Sequence, residues 1–229
     1  MLQFMDNKTG AFLHRFYFVT TGMVILFKIG TFTHAIFIVK YVQKLQKEGF
    51  NMNISQNTNL KKLILTALFA ALACVATMAI RIPTPGTGGY IHPGDAIVIL
   101  SGVILGPGWG FLAAGIGSAL ADLMGGYFVY VPITFAIKGL VALCSGMIYR
   151  KMGKTSHLHY MAVALGGIAD IILVAGGYFV CDIPLYGAAA SAMSIPANLI
   201  QGVSGLVIAL ILYPVLIAIP DVRYISEKA

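Results

Sequence analysis

Charged residues are scarce. Only 10% of the 229 residues are Asp, Glu, Lys or Arg, where a soluble domain carries about 25%. So little charge excludes a soluble globular protein. The formal net charge is +7, yet no basic surface interleaved with aromatics exists to receive nucleic acid. Cysteine is also rare. Cys74, Cys144 and Cys181 form no CxxC and have no paired histidine, so they read as small hydrophobes and no metal site is expected. HExxH is absent. Ser145 follows Cys144, but His92, His157 and His159 all fall outside the apolar middles of the later runs, which removes the base that an intramembrane protease needs. Gly153, Lys154 and Thr155 resemble the end of a phosphate-binding loop, but Ile148 stands where its first glycine belongs. The chain therefore has no expected ATP site of its own, no catalytic residues and no cofactor.

What is abundant is apolar surface. Hydrophobic residues make up 59% of the chain, and the mean hydropathy is +0.88. These values describe an all-α integral membrane protein. The length suits about six spanning helices of ~20 residues. Apolar periodicity predicts them at Leu60–Ile80, Gly94–Leu105, Gly110–Met124, Val131–Tyr149, His159–Val180 and Ala192–Ile219. The second is short for a full crossing. Residues 1–51 differ from the rest and form an N-terminal extension. Its apolar stretch 16–39 is interrupted by Lys28 and His34, and fits an extra or interfacial helix or sequence upstream of the true start. Residues 52–229 form the six-helix domain.

Basic residues are unevenly spread. Lys61 and Lys62 precede the first helix, Arg150, Lys151 and Lys154 lie between the fourth and fifth, and Arg223 and Lys228 follow the sixth. The opposite side carries only Arg81. The positive-inside rule then puts both ends in the cytoplasm. The loop RIPTPGTGGYIHPGD, with three prolines and four glycines, cannot continue a helix. It is longer than its connection needs and reads as a plain surface loop or a lid over a site.

Four ionisable residues, Asp95, Asp122, Lys138 and Asp170, sit inside apolar stretches. A charge at mid-bilayer costs roughly 2.5–3.5 kcal/mol on insertion scales, so such residues usually mark a ligand or ion pathway. Lys138 lies ~10 Å below the outer boundary at 1.5 Å per residue. Asn198 and Gln201 share a face at i, i+3 spacing. Tyr127, Tyr130 and Tyr178 lie near the same outer end. Polar groups beside aromatic faces suit a small, flat, polar heterocycle. Packing explanations also exist: an Asp122–Lys138 ion pair, Asp95 as a helix cap, Asn198 and Gln201 bonding between helices, and tyrosines as interface anchors. Ala67 and Ala71, four apart on the first helix, let another helix approach closely. Gly106–Gly110 and Gly115–Ala119 repeat that spacing. Either packing within the bundle or docking of a membrane partner accounts for it.

The run YIHPGDAIVILSGVILGPGWGFLAAGIGSALADLMGGYFVYVPITFAIKGL and the later IPANLIQGVSG resemble the substrate-binding (S) components of energy-coupling factor (ECF) transporters. The likeness covers roughly residues 58–220, and is nearest to the branch with riboflavin, hydroxymethylpyrimidine and pyridoxine carriers. The resemblance implies a six-helix, multi-pass protein of a bacterial plasma membrane that captures a vitamin or precursor from outside. It implies partners: a transmembrane coupling protein of the EcfT type and two cytoplasmic ATPases of the EcfA type. It also implies docking through Ala67 and Ala71 and delivery by toppling of the S component. The candidate substrate-binding set is Asp95, Asp122, Tyr127, Tyr130, Lys138, Tyr178, Asn198 and Gln201. That set favours hydroxymethylpyrimidine or pyridoxine over the bulkier riboflavin. A stand-alone proton-coupled transporter using Asp95, Asp122 and Asp170 is the alternative, and a structural membrane subunit is a third reading.

Overall fold

The computed structural model describes residues 58–84, 86–152 and 158–228. The N-terminal extension and the Gly-Lys-Thr run at 153–155 lie outside the described residues. Lys61 and Lys62 begin a run of strong helix formers that continues as α1, Thr58–Ala79. The chain then makes a two-stranded hairpin, β1 (Ile82–Pro83) and β2 (Tyr90–Ile91). Five helices complete the expected set: α2 Asp95–Leu105, α3 Pro107–Gly125, α4 Tyr130–Met152, α5 His159–Tyr186 and α6 Ala188–Ile217. A short C-terminal helix, α7 (Pro220–Glu227), was not anticipated. Its Asp221 bonds Lys61 of α1 at 2.9 Å.

Among the described residues, four helices, α1, α4, α5 and α6, are long and apolar enough to cross a membrane. Helix α2 has 11 residues, about 16 Å of rise, too short to cross. All its residues except Ile97 are buried, and α1, α3, α4, α5 and α6 all pack against it. A helix apolar on every side belongs in the middle of a bundle. The buried apolar side chains of α2 form much of the core, together with Phe69, Val141, Val163 and Val174.

Two single-residue corners join helices. Gly106 (φ 81°, ψ 173°) links α2 to α3, and Gly187 (φ 83°, ψ 158°) links α5 to α6. That backbone region is essentially closed to residues with a Cβ. The second corner corrects the expected loop between the fifth and sixth helices. Helix α5 runs on past Val180 to Tyr186, through Pro184, and α6 starts at Ala188 rather than Ala192. The apolar run breaks at Asp182, but the helix does not.

The small-residue spacings resolve in two ways. Gly110 packs on the Gly102 backbone, where a Cβ would sit 2.6 Å from the Gly102 Cα, and Gly115 faces Phe135. Those pairs serve packing within the bundle. Ala67 and Ala71 do not. They lie on the exposed face of α1 with Leu63, Leu68, Leu72 and Val75, while Thr66, Phe69, Ala70, Ala73 and Thr77 face inward.

Candidate functional site

The connection between α1 and α2 builds one wall of the site. Ile82 pairs with Ile91 and Pro83 with Tyr90. The Thr84 N–H donates to the Gly89 carbonyl at 3.1 Å, and the Thr84 and Thr87 hydroxyls lie 2.8 Å apart. Thr84 and His92 are buried. The segment is therefore a hairpin fitted into the bundle end rather than a plain surface loop.

A cavity lies beneath it. The hairpin contributes Thr84, Thr87, Gly89, Tyr90 and His92 to the lining. Helix α3 adds Asp122, α4 adds Tyr130 and Thr134, α5 adds Tyr178 and Asp182, and α6 adds Ser194 and Asn198. The empty space among these side chains, including the part open to solvent, is about 390 Å³.

Tyrosines tie the two carboxylates in place. The Tyr90 hydroxyl donates to Asp122 Oδ1 at 2.6 Å, and the Tyr130 hydroxyl donates to Asp182 Oδ1 at 2.9 Å. Burial pushes the Tyr90 hydroxyl pKa well up, and the bond to Asp122 adds to this, so Tyr90 keeps its proton and donates. The Thr134 and Tyr178 hydroxyls share a bond of 2.9 Å. The rings of Tyr130 and Tyr178 lie 6.3 Å apart. The Gly94 backbone N–H donates to His92 Nδ1 at 3.1 Å, which assigns the ring proton to Nε2. Burial lowers the His92 pKa to about 4; Asp95 opposes the shift, and Lys138 and Arg81 add to it. His92 is therefore a neutral donor at pH 7.

A second polar layer lies beside the cavity, outside its lining. Lys138 Nζ donates to Asp95 Oδ1 at 2.5 Å, and Gln201 Nε2 donates to Asp95 Oδ2 at 2.7 Å. Gln201 Oε1 accepts the His92 backbone N–H at 2.9 Å. Lys138 Nζ sits 5.6 Å from the centroid of the Tyr178 ring. Asp95 and Lys138 are completely buried and Gln201 is 2% exposed. This layer ties α2, α4 and α6 to the hairpin.

Two sequence expectations are corrected here. Lys138 pairs with Asp95 rather than with Asp122, whose carboxylate is bonded to Tyr90. Asp95 lies in the first turn of α2 but its side chain does not cap the helix; Lys138 and Gln201 occupy both its oxygens.

Of the eight candidates, Asp122, Tyr130, Tyr178 and Asn198 line the cavity. Asp95, Lys138 and Gln201 form the adjoining layer. Tyr127 lies behind Tyr90, with ring centroids 4.6 Å apart. The Arg81 guanidinium is 4.9 Å from the centroid of Tyr90 and 5.8 Å from that of Tyr127. It donates to the Ala121 carbonyl at 3.1 Å. Asp170 is buried, and neither of its carboxylate oxygens has a hydrogen-bond partner. Sequence reasoning missed Thr84, Thr87, Gly89, Tyr90, His92, Thr134, Asp182 and Ser194. Asp182 carried a usable signal: a carboxylate inside an apolar stretch, hidden because the helix was ended at Val180.

Comparison with known proteins agrees with this architecture. Residues 57–218 match the family model described as the ECF-type riboflavin transporter, S component. An uncharacterised protein of Pyrococcus woesei is 35% identical over 134 residues, 58% of this chain and 86% of its own length. The thiamine precursor transporter HmpT of Lactococcus lactis is 26% identical over 166 residues, 72% of this chain and 93% of its own. The solved S component of a bacterial ECF transporter superposes with a TM-score of 0.54 at 26% identity, covering 69% of this chain and 96% of that one. The match spans well over half of the sequence, and the chain belongs to the ECF-type riboflavin transporter S component family, whose members are membrane transport subunits rather than enzymes.

Proposed function

We propose that this protein is the substrate-capture subunit of an ECF-type importer and takes up a small vitamin or vitamin precursor, hydroxymethylpyrimidine or pyridoxine above riboflavin. The observation that carries this reading is the cavity under the hairpin, walled by hydrogen-bonding groups and the rings of Tyr130 and Tyr178. Similarity to a thiamine precursor transporter supports the pyrimidine. Asp122, Tyr130, Tyr178 and Asn198 would contact the ligand. Asp95, Lys138 and Gln201 would hold the wall, with Tyr127 as its outer support. In this reading α2 and α3 complete a six-helix unit with both ends cytoplasmic in a bacterial plasma membrane. Residues 1–51 precede that unit as an extension.

Energy would come from partners: a coupling protein of the EcfT type and two ATPases of the EcfA type. The exposed Ala67–Ala71 face of α1 suits close docking of such a helix, after which toppling would carry the cavity inward. Purification of the complex tests this. Mass spectrometry should find a vitamin-sized heterocycle in the S component, and the coupling protein and two ATPases should co-isolate. Asp170, buried without a partner, is the feature that favours the rival reading of a stand-alone proton-coupled carrier. Uptake by the isolated chain, driven by a proton gradient, would establish the rival.

A further inference from the structure

The charges around the cavity are one-sided. Its lining contains two carboxylates, Asp122 and Asp182, and neither lysine nor arginine. The lining histidine, His92, is neutral at pH 7 because burial lowers its pKa. The nearby cations are engaged elsewhere. Lys138 is bonded to Asp95 in the adjoining layer, and Arg81 lies against the faces of Tyr90 and Tyr127 while donating to Ala121. An anion entering this space would lose hydration and face two carboxyl groups, with no lysine or arginine in the lining to pair with it.

The carboxylates also dictate what the ligand must offer. An ionised carboxylate accepts and cannot donate, and it has about four acceptor sites. Tyr90 and Tyr130 bond one oxygen of each, Oδ1 in both cases. Acceptor capacity remains on both groups, and a partner that fills it must carry N–H or O–H. The hairpin side of the lining has donors: His92 through Nε2, and whichever of the Thr84 and Thr87 hydroxyls does not give its proton to the other. A ring with an exocyclic amino group beside a ring nitrogen meets both demands. Its amino hydrogens go to a carboxylate and its other nitrogens or hydroxyl accept from the donor wall.

We propose that Asp122 and Asp182 make this cavity selective for neutral or cationic amino-substituted nitrogen heterocycles and exclude carboxylate-bearing or phosphorylated compounds. The inference rests on the capture reading above and names the chemistry of its ligand. It follows that the imported compound enters without phosphate or carboxylate groups.

Titration calorimetry on the purified full-length chain tests this with four probes: 4-amino-5-hydroxymethyl-2-methylpyrimidine, its 4-oxo counterpart, its phosphate monoester, and pantothenate as a carboxylate-bearing vitamin. The amino compound should bind. The 4-oxo compound should bind at least about tenfold more weakly, because a carboxylate acceptor loses its donor. The phosphate ester and pantothenate should bind at least about a hundredfold more weakly, since like charges without compensation are rejected. Asp182→Asn should weaken the amino compound about tenfold or more and narrow its advantage over the phosphate ester. Asp122→Asn serves as the second variant, and thermal unfolding checks that each is folded. Equal binding of the ester, or of the 4-oxo compound, overturns the selectivity. Binding of pantothenate with the amino compound inert also overturns it but leaves vitamin capture standing. No binding of any probe, with no heterocycle co-purifying, overturns both.

Discussion

Replacing Lys138 with methionine removes one half of an ion pair that has no exposed surface. Asp95 would keep Gln201 as its donor and lose its counter-charge. Removing one partner of a buried pair costs about 3–5 kcal/mol, because the other charge stays in a low-dielectric place. Adding Asp95→Asn removes that stranded charge. An asparagine keeps the size of the side chain and an oxygen that can still accept from Gln201. It also respects the tight packing of α6 here, where a Cβ on Gly205 would lie 2.7 Å from the Asp95 Cβ. The double variant should therefore recover about 2 kcal/mol or more of the loss, a coupling within the range seen for contacting pairs. Reversible unfolding in mixed micelles measures both values. Ligand affinity should fall in the single variant as well, because Asp95 positions Gln201, and Gln201 holds the His92 backbone. The residue pattern alone makes Lys138 a ligand contact whose loss spares the fold. The geometry makes it a fold residue first. A Lys138→Met protein within about 1 kcal/mol of the parent, or a double variant no more stable than the single, would refute this reasoning.

Further outcomes are expected. Asn198→Ala should weaken vitamin binding about tenfold by removing a cavity hydrogen-bonding group, with thermal unfolding unchanged; parent-like affinity in calorimetry removes Asn198 from the site. Ala67→Trp or Ala71→Trp should leave binding intact and abolish uptake in cells carrying the whole complex; normal uptake would reject the docking face. Gly187→Ala should destabilise the protein by about 1–3 kcal/mol through backbone strain alone, since no neighbour would touch the added Cβ; an unchanged unfolding free energy would contradict the corner geometry. His92 binds its proton more weakly folded (pKa about 4) than at its ordinary value of 6.5. Between these values the unfolded state holds more protons, so stability is full above pH 6.5 and falls as pH drops towards 4, by up to about 3 kcal/mol. His92→Gln should flatten that part of the stability profile, and an identical slope in the variant would count against the burial of a neutral ring.

Helix positions were legible because apolar runs report them directly. Predicted starts and ends fall close to the observed ones for α1, α2 and α4. The failures lie where a polar residue interrupts a helix without ending it. Asp182 made the fifth helix seem to stop, and Gly187, which makes the real corner, looks in sequence like any other glycine of an outer loop. Helix α7 was invisible for the opposite reason. It is short and polar, and it is tied down by Lys61, some 160 positions away. For the hairpin the sequence leaves a plain loop and a lid both open, because Pro and Gly exclude a helix but do not say whether the segment packs inward.

The buried charges were the right lead, but partner choice cannot be read from depth. Asp95, Asp122 and Lys138 occupy neighbouring levels, and either carboxylate satisfies the lysine on paper. The deciding factor is the hairpin, which brings Tyr90 to Asp122 and leaves Asp95 to Lys138 and Gln201. This sorting has a functional consequence. A lysine bonded to Asp122 would have put a cation at the edge of the cavity and made room for an anionic ligand. With Lys138 drawn to the adjoining layer, the lining keeps its carboxylates and holds no lysine or arginine. On the proposed reading, the same residue composition would give opposite ligand preferences according to one pairing, and that pairing depends on where a fifteen-residue connection folds.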